Sequence, residues 1–520
     1  MKWTSLLLTL FFGFSAFVLG AQNNGTIRGT VYDKESGEPI IFGTIRLEGT
    51  TIGTNTNENG FFSIGNVPPG NYTLVATYVG YDSVAVDIEL KPGGIVTENI
   101  FMVESGVQLG VVNISARAEK ARSDVRVSKI TVTPQQIKSL PSMGGQADVA
   151  QYLPVLPGII STGDQGGQIY IRGGSPIQNK ILLDGMTIYN AFHSIGFFSV
   201  FETEIIRTMD VLTGGFNAEY GGRISAIVDI KTREGNKRRF SGTVSGNPFQ
   251  TKVLFEGPLK KLDESGRGGS TSFILTGKHS YLDKTSPKLY SYATENDTLG
   301  LPYSFTDFYA KLSSVTDNGS KFNLFGFRFD DMVNFEGVAR FDWTSNGGGA
   351  NFTVVPPNSN LIIDGTLAFS DYEILLREAD EDPRRSAITS YNAVLNFTYY
   401  GLHNEVKYGF DLNALSTDFR FKNFLGNTIN QDDNTTELSG YIKYKQKLGP
   451  WILEPSVRLV FYASQRATKF EPRFGAKWNI TDNLRFKAAG GFYTQNLLSS
   501  VNDRDVVNLF VGFLSGPEEQ

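Results

Sequence analysis

Residues 405–413 read Glu405-Val406-Lys407-Tyr408-Gly409-Phe410-Asp411-Leu412-Asn413. Side chains of a β-strand alternate between its two faces, so Val406, Tyr408, Phe410 and Leu412 share one face. Glu405, Lys407, Asp411 and Asn413 share the other. The same reading holds for Leu361, Ile363, Leu367 and Phe369 against Asp364, Thr366 and Ser370. It holds again for Leu453, Val457, Leu459 and Phe461 against Glu454, Ser456 and Arg458, and for Phe470, Phe474 and Trp478 against Glu471, Arg473 and Lys477. Strands of soluble sandwiches are short, usually about 5–6 residues. Many of the runs here exceed ten. Long strands with one oily and one wet face fit a barrel that meets lipid outside and water inside, where about 9–11 residues span the bilayer.

The rest of the composition agrees. Aromatic residues make up 12% of the chain, with 39 Phe and 22 Tyr, which suits lipid-facing strands and interfacial girdles. A net charge of −5 gives no case for nucleic-acid binding. Residues 1–20 have the form of a secretory signal: Lys2, an apolar stretch from Leu6 to Leu19, and a cleavage site that starts the mature chain at Ala21. No later stretch has the length of a spanning helix. The absence of Cys excludes a lipidated cysteine, a disulfide or a thiolate metal site. Export, amphipathic strands and no spanning helix together point to a bacterial outer membrane, where only a closed barrel pairs every backbone group.

Upstream of the strands, residues 21–103 read as a small β domain. Strand-like runs at 26–32, 41–47, 61–64, 72–78 and 84–90 are separated by turn signals such as Ser36-Gly37-Glu38-Pro39, Asn57-Glu58-Asn59-Gly60 and Pro68-Pro69-Gly70. This punctuation predicts an immunoglobulin-like sandwich. Residues 104–130 form a linker. Its patch Gln108-Leu109-Gly110-Val111-Val112-Asn113-Ile114-Ser115 is either an ordinary strand or an edge strand that adds to a periplasmic partner. Residues 131–233 read as mixed α/β, with short helices at 134–140 and 147–153 and strands at 168–172, 180–184, 205–212 and 224–232.

Two resemblances enter here. Gly29 to Asp33, Gly37 to Ile40, Thr56 to Phe61, Pro69 to Leu74 and Gly80-Tyr81 resemble the carboxypeptidase regulatory-like domain family, which implies a fold and no catalysis. Leu153 to Gly158, Ile171-Arg172-Gly173-Gly174, Leu182-Leu183-Asp184-Gly185, Ala218-Glu219-Tyr220-Gly221-Gly222-Arg223 and Val228 to Thr232 follow in order. They resemble the plug domain of TonB-dependent outer-membrane receptors of the Bacteroidetes type. The fold class is therefore mainly β: a sandwich, an α/β plug, then an antiparallel transmembrane β-barrel over 234–520. The resemblance implies active import of a scarce nutrient (siderophore, cofactor, glycan or peptide) with the plug gated by TonB. It implies TonB, with ExbB and ExbD, as periplasmic partner, a possible surface lipoprotein, and outer-membrane lipid and lipopolysaccharide around the barrel. On this reading Leu109, Val111, Val112, Ile114 and Ser115 are the TonB-contact candidates. Glycan importers usually carry a Tyr-Val-x-Asp-Gly-like motif, and Ile181-Leu182-Leu183-Asp184-Gly185 departs from it, which weakens that substrate. The rival functions are a ligand-sensing receptor without net transport and a truncated, inactive fragment.

The plug residues singled out are Arg172, Gly173, Asp184, Gly185, Glu219, Tyr220, Gly221 and Arg223. Glycine there permits tight turns and close approach to the wall. Arg172 and Arg223 either ion-pair with inward carboxylates such as Glu405 or Glu454, or are plain turn arginines. Tyr189, Asn190 and His193 lie in a plug loop that faces ligand if the resemblance holds. His193, His279 and His403 fall at no zinc or hydrolase spacing, no metal or cofactor site is expected, and nothing forms a catalytic constellation. Lys237-Arg238-Arg239 reads as an interfacial anchor.

Topology is testable from parity. With the first barrel strand running outward, the outer connections are 247–250, 282–304, 331–340, 378–386, 422–435 and 464–469. The inner ones are 259–268, 317–319, 356–359, 401–402, 449–450 and 481–482. Acidic clusters Asp380-Glu381-Asp382 and Asp432-Asp433 then fall in outer loops. About 13 strands result, against the roughly 22 of plugged transporters. The expectation is a receptor barrel incomplete at its C-terminus.

Overall fold

The computed structural model describes residues 24–50, 52–105, 125, 127–142, 146–161, 168–193, 196–263, 268–289, 300–357, 359–378, 382–401, 404–422, 427–481, 484–499 and 510–515. The signal-like segment 1–20, His403 and Leu109, Val111, Val112, Ile114 and Ser115 lie outside them. The chain divides into two compact units, the first containing residues 1–123 and the second containing the plug region and the long strands.

The N-terminal domain has eight strands: β1 (Gly25–Asp33), β2 (Thr44–Leu47), β3 (Gly53–Asn55), β4 (Phe61–Val67), β5 (Gly70–Thr77), β6 (Val84–Leu90), β7 (Ile95–Thr97) and β8 (Ile100–Met102). One sheet runs β4–β1–β7 with β8 also on β1, the other β3–β2–β5–β6. Ile27, Val31, Phe62 and Ile64 of the first meet Ile45, Leu47, Leu74 and Ile88 of the second in one apolar core, as expected of a sandwich. β7 and β8 pair with β1 in parallel, so both return across the domain.

In the second unit, the plug is built on a five-stranded sheet ordered β13–β12–β15–β14–β9. Its strands are β9 (Lys129–Val132), β12 (Asn179–Leu183), β13 (Met186–Ile188), β14 (Ile206–Leu212) and β15 (Ala226–Thr232); β10 (Ile159–Ser161) and β11 (Ile169–Ile171) form a separate hairpin. Helices α1 (Pro134–Lys138) and α2 (Val149–Tyr152) stand where short helices were expected. Thr133 caps α1 with Gln136 in a reciprocal capping box, and the Asp148 carboxylate caps α2 by accepting the Ala150 N–H. β9 begins inside the expected linker: Lys129-Ile130 carry no strand signal of their own and are ordered by pairing with β14.

Strands β16 to β28 make one thirteen-stranded sheet in sequence order. They are β16 (Ser241–Gly246), β17 (Gln250–Lys260), β18 (Ser270–Ser280), β19 (Tyr303–Val315), β20 (Lys321–Phe335), β21 (Ala339–Val354), β22 (Leu361–Glu378), β23 (Arg384–Tyr400), β24 (Asn404–Lys422), β25 (Thr428–Leu448), β26 (Trp451–Tyr462), β27 (Ala467–Asn479) and β28 (Arg485–Gly491). Every inner turn falls where expected. Among the outer connections, 247–250 does too, but others differ. The 331–340 loop shrinks to 336–338, and 422–435 is mostly strand, so Asp432 and Asp433 belong to β25. Part of 282–304 is a helix, α3 (Leu282–Leu289). The outward row that begins with Phe322 and Leu324 turns polar at Arg328 and Asp330, and this change mimics a loop. The backbone ladder needs no lipid, so the hairpins continue past it. A short final hairpin pairs β29 (Leu497–Ser499) with β30 (Phe513–Ser515).

The face away from the plug is oily as read: Phe410, Leu367, Leu459, Phe470 and Phe474 are all exposed. The plug-facing side is not uniformly wet. On β17–β20, Leu254, Ile274, Tyr309, Phe325, Phe327 and Phe329 join plug residues such as Ile188, Phe201, Met209 and Ile230 in one buried core. Each such side chain contributes roughly 1.5–3 kcal/mol by leaving water. Room for the rings comes from β21: a Cβ on Gly349 would sit 2.9 Å from the Phe325 ring, and one on Gly347 would strike Phe327. A wall that packs against a domain needs apolar matter on its inner face, which overrides the expectation of a water-facing lumen.

Candidate functional site

Two of the plug motifs are tight turns. β12 ends at Leu183 and β13 starts at Met186, so Asp184-Gly185 is a two-residue hairpin loop. Its φ values, +50° and +91°, are those of the left-handed turn that suits a right-twisted hairpin. Arg172-Gly173 repeats the arrangement, at +50° and +80°, between Ile171 and Gly174.

Asp184 does more than turn the chain. It is buried and accepts hydrogen bonds from the Thr232 N–H (3.0 Å), the Thr232 hydroxyl (2.6 Å) and the Tyr309 hydroxyl (2.6 Å), with Lys311 Nζ at 3.3 Å. Tyr309 and Lys311 come from β19, so this plug turn is clasped by the wall. Burial alone would raise the Asp184 carboxyl. The Lys311 ammonium and the hydrogen bonds of Thr232 and Tyr309 outweigh it and hold the pKa below its ordinary value. Gly185 lies beside the wall too, since a Cβ there would meet Thr366 at 2.8 Å.

The loop 214–223 is held from the opposite strands. Glu219 pairs with Lys407 at 2.6 Å and Lys443 at 3.9 Å. Arg473 donates to the carbonyls of Asn217 (2.7 Å) and Tyr220 (2.6 Å), and lies over the rings of Phe216 and Tyr493. Arg458 donates to Ala218 O at 3.3 Å and pairs with Asp411 at 2.7 Å. Its guanidinium fills the space a Cβ on Gly221 would need. The Tyr220 hydroxyl donates to Asp229 at 3.1 Å. The plug thus meets both apolar matter and buried charges on β17–β20, and mainly charge on β24–β27.

The expected arginine pairs are corrected. No ion pair among the described residues includes Arg172 or Arg223. Glu405 lies against Lys443 at 3.5 Å, and Glu454 accepts from Asn217 at 3.3 Å. Arg172 is exposed and Arg223 buried, with its Nη1 donating only to its neighbour's carbonyl, Gly222 O, at 2.7 Å. Lys237 is no membrane anchor. It is 1% exposed and pairs with Glu234 at 2.5 Å, while Lys321 and Arg207 meet the same carboxylate.

His193 turns to the wall. It is buried, stacks on Phe305 at 3.7 Å, and meets Asp307 at 2.9 Å and Asp331 at 3.8 Å on its two ring nitrogens. Lys278 meets Asp307 at 3.0 Å and donates to Ser199 O at 2.6 Å. Burial would push the imidazole down, but Asp307 and then Asp331 raise it above its ordinary value. His279 lies in β18 and meets the Thr306 hydroxyl.

Tyr189 and Asn190 do border open space. They line a cavity with about 1210 Å³ of atom-free volume, part of it open to solvent, between the plug and β21–β22. Arg223, Asn179, Trp343 and Tyr372 line it too. Trp343, Tyr372, Lys311, Arg458 and Arg473 were not singled out from the sequence. Their one visible signal is an inward position in a strand, which dozens of residues share.

Residues 27–114 match the family model of the CarboxypepD_reg-like domain, and residues 121–227 that of the TonB-dependent Receptor Plug Domain. Among curated proteins, the TonB-dependent receptor SusC of Bacteroides thetaiotaomicron is 24% identical over 50% of this chain and 25% of that protein. The TonB-dependent transporter Oar of Myxococcus xanthus is 24% identical over 52% and 25%. The matched part therefore spans about a quarter of those relatives. The crystal structure of the siderophore receptor PirA from Pseudomonas aeruginosa superposes with a TM-score of 0.53 at 15% identity, covering 72% of this chain and 63% of that one. That likeness is one of fold.

Proposed function

From a chain that joins a carboxypeptidase regulatory-like domain to a TonB-dependent receptor plug and a receptor-type antiparallel sheet, we propose a TonB-gated importer. It takes a scarce, bulky nutrient across the outer membrane after export behind a cleaved signal peptide. The observation that carries this reading is the double attachment of the plug. A folded domain clasped at Asp184 from β19 and at Glu219 from β24 and β25 closes a passage, and ionic contacts of this kind exchange for water when it moves. Ligand enters the cavity beside Tyr189 and Asn190. TonB, energised with ExbB and ExbD, pulls the plug through the segment 109–115. A surface lipoprotein and lipopolysaccharide are further partners on the outer side.

The test is deletion of residues 108–116. Binding of substrate to cells is expected to persist while energised uptake is lost, in a panel of labelled siderophores, cobalamin, glycans and peptides. Uptake that survives the deletion overturns the assignment.

A further inference from the structure

Among the described residues, two buried polar atoms on the wall of the plug cavity have no hydrogen-bond partner. Arg223 is 6% exposed and Asn179 is 8% exposed. Neither the Arg223 Nε nor the Asn179 Oδ1 takes part in a hydrogen bond. The first is a charged donor, the second a neutral acceptor. Both residues line the same space. The Glu437 carboxylate acts on this guanidinium through space without forming an ion pair with it, and the buried Arg223 Nε–H is left without an acceptor, which is costly. Unsatisfied buried groups are rare in folded proteins and call for a reason.

The rest of the wall narrows the chemistry. Tyr189, Trp343 and Tyr372 present flat apolar surface, with Asn190 hydrogen-bonded to Tyr372 and the Tyr189 hydroxyl to Ser390. Those two polar groups are thereby already engaged. Aromatic faces favour a planar or ring-shaped body. The open valences are one cationic fork and one acceptor.

We propose that Arg223 is the anion anchor of this cavity, which takes a ring-bearing ligand carrying a carboxylate or similar anion beside a hydrogen-bond donor. The anion meets the guanidinium fork, the donor meets Asn179 Oδ1, and the ring lies against Trp343 and Tyr372. Arginine suits this task because its planar donors match a carboxylate two at a time. The inference rests on the reading of the chain as a ligand receptor, and adds the charge and shape of what it receives.

The test uses the full chain in lipid nanodiscs, titrated calorimetrically with 2-naphthoate and with its neutral counterpart 2-naphthylmethanol. The acid is expected to bind about tenfold tighter or more, the worth of one charged hydrogen bond. Arg223→Gln removes that preference and leaves the alcohol unchanged, whereas Trp343→Ala weakens both probes. Equal binding of the two probes, a preference that survives Arg223→Gln, or no binding of either overturns the proposal. The comparison on the unaltered protein needs no variant, so it stands even where Arg223→Gln does not fold. Energised uptake by the unaltered chain, which deletion of 108–116 should abolish, separates the two readings. An acid preference in a chain whose unaltered form imports none of the panel sinks the importer and leaves the anchor, and uptake without the preference does the reverse.

Discussion

Asp184→Asn tests the clasp between plug and wall. Asparagine is among the few residues that accept a φ of +50°, so the turn itself is preserved and the change is electrostatic. Both Asp184 and Lys311 side chains are 4% exposed, so water does not replace the lost charge. Lys311 retains the Thr232 carbonyl at 3.2 Å and hydroxyl at 2.7 Å, both neutral. The expected loss is about 3–5 kcal/mol, the cost of breaking one side of a buried pair. The reverse variant, Lys311→Met, is milder, at about 1–3 kcal/mol, because Asp184 keeps three donors from Thr232 and Tyr309. The double variant then recovers most of the Asp184→Asn loss. Denaturant titration in nanodiscs gives the three free energies, and hydrogen exchange over 179–188 and 226–232 locates the change. A loss below about 1 kcal/mol for Asp184→Asn, or simple additivity in the double variant, refutes the clasp.

Gly221→Ala drives a methyl into the Arg458 guanidinium and should cost about 1–3 kcal/mol, partly relieved by Arg458→Ala in the same chain, as read by denaturant midpoint. Phe327→Ala opens a cavity between β20 and the plug, with an expected loss of about 3–5 kcal/mol by the same measurement. The seat of the loop around His193 depends on pH. Its pKa is raised above 6.5, so the stabilisation is full below that value and fades as pH climbs through the raised one. Amide exchange over 196–201, corrected for the intrinsic rate, is expected to quicken across that range, and His193→Gln to flatten the trend. Asp307, Asp331 and Lys278 face the ring, with Asp148 and Glu202 behind Lys278, and exchange that follows those groups instead would persist in the variant.

The thirteen strands and six inner turns were legible because turn chemistry is local: Asp317-Asn318-Gly319 or Gly449-Pro450 speak within a few residues. The outer ends were misread because Arg328 and Asp330 end the oily row without ending the strand. Phe325, Phe327 and Phe329 broke the expectation of a wet inner face for a related reason. Their neighbours include plug residues far away in the chain, and periodicity reports only that a face exists. Partner choice was the least legible. Glu219 finds Lys407 and Lys443, and Arg223 faces Glu437 without an ion pair, through the register of β24 and β25 against the plug loop. The Asp184-Gly185 turn was visible as a motif, whereas its clasp required knowing that Tyr309 and Lys311 face it.

The order β13–β12–β15–β14–β9 has a mechanical meaning. The chain enters the plug sheet at its outermost strand, and tension applied upstream of Lys129 arrives at the rung Lys129↔Leu212 first. Antiparallel rungs loaded from one end open in succession, so each step breaks a bond or two, about 1 kcal/mol apiece, and never the whole ladder. The first rungs are reinforced by Asp210, which binds Lys129 at 2.6 Å and the Thr131 hydroxyl at 2.6 Å. Once that carboxylate lets go, β9 peels like tape. The far edge of the sheet, anchored at Asp184, carries none of the load.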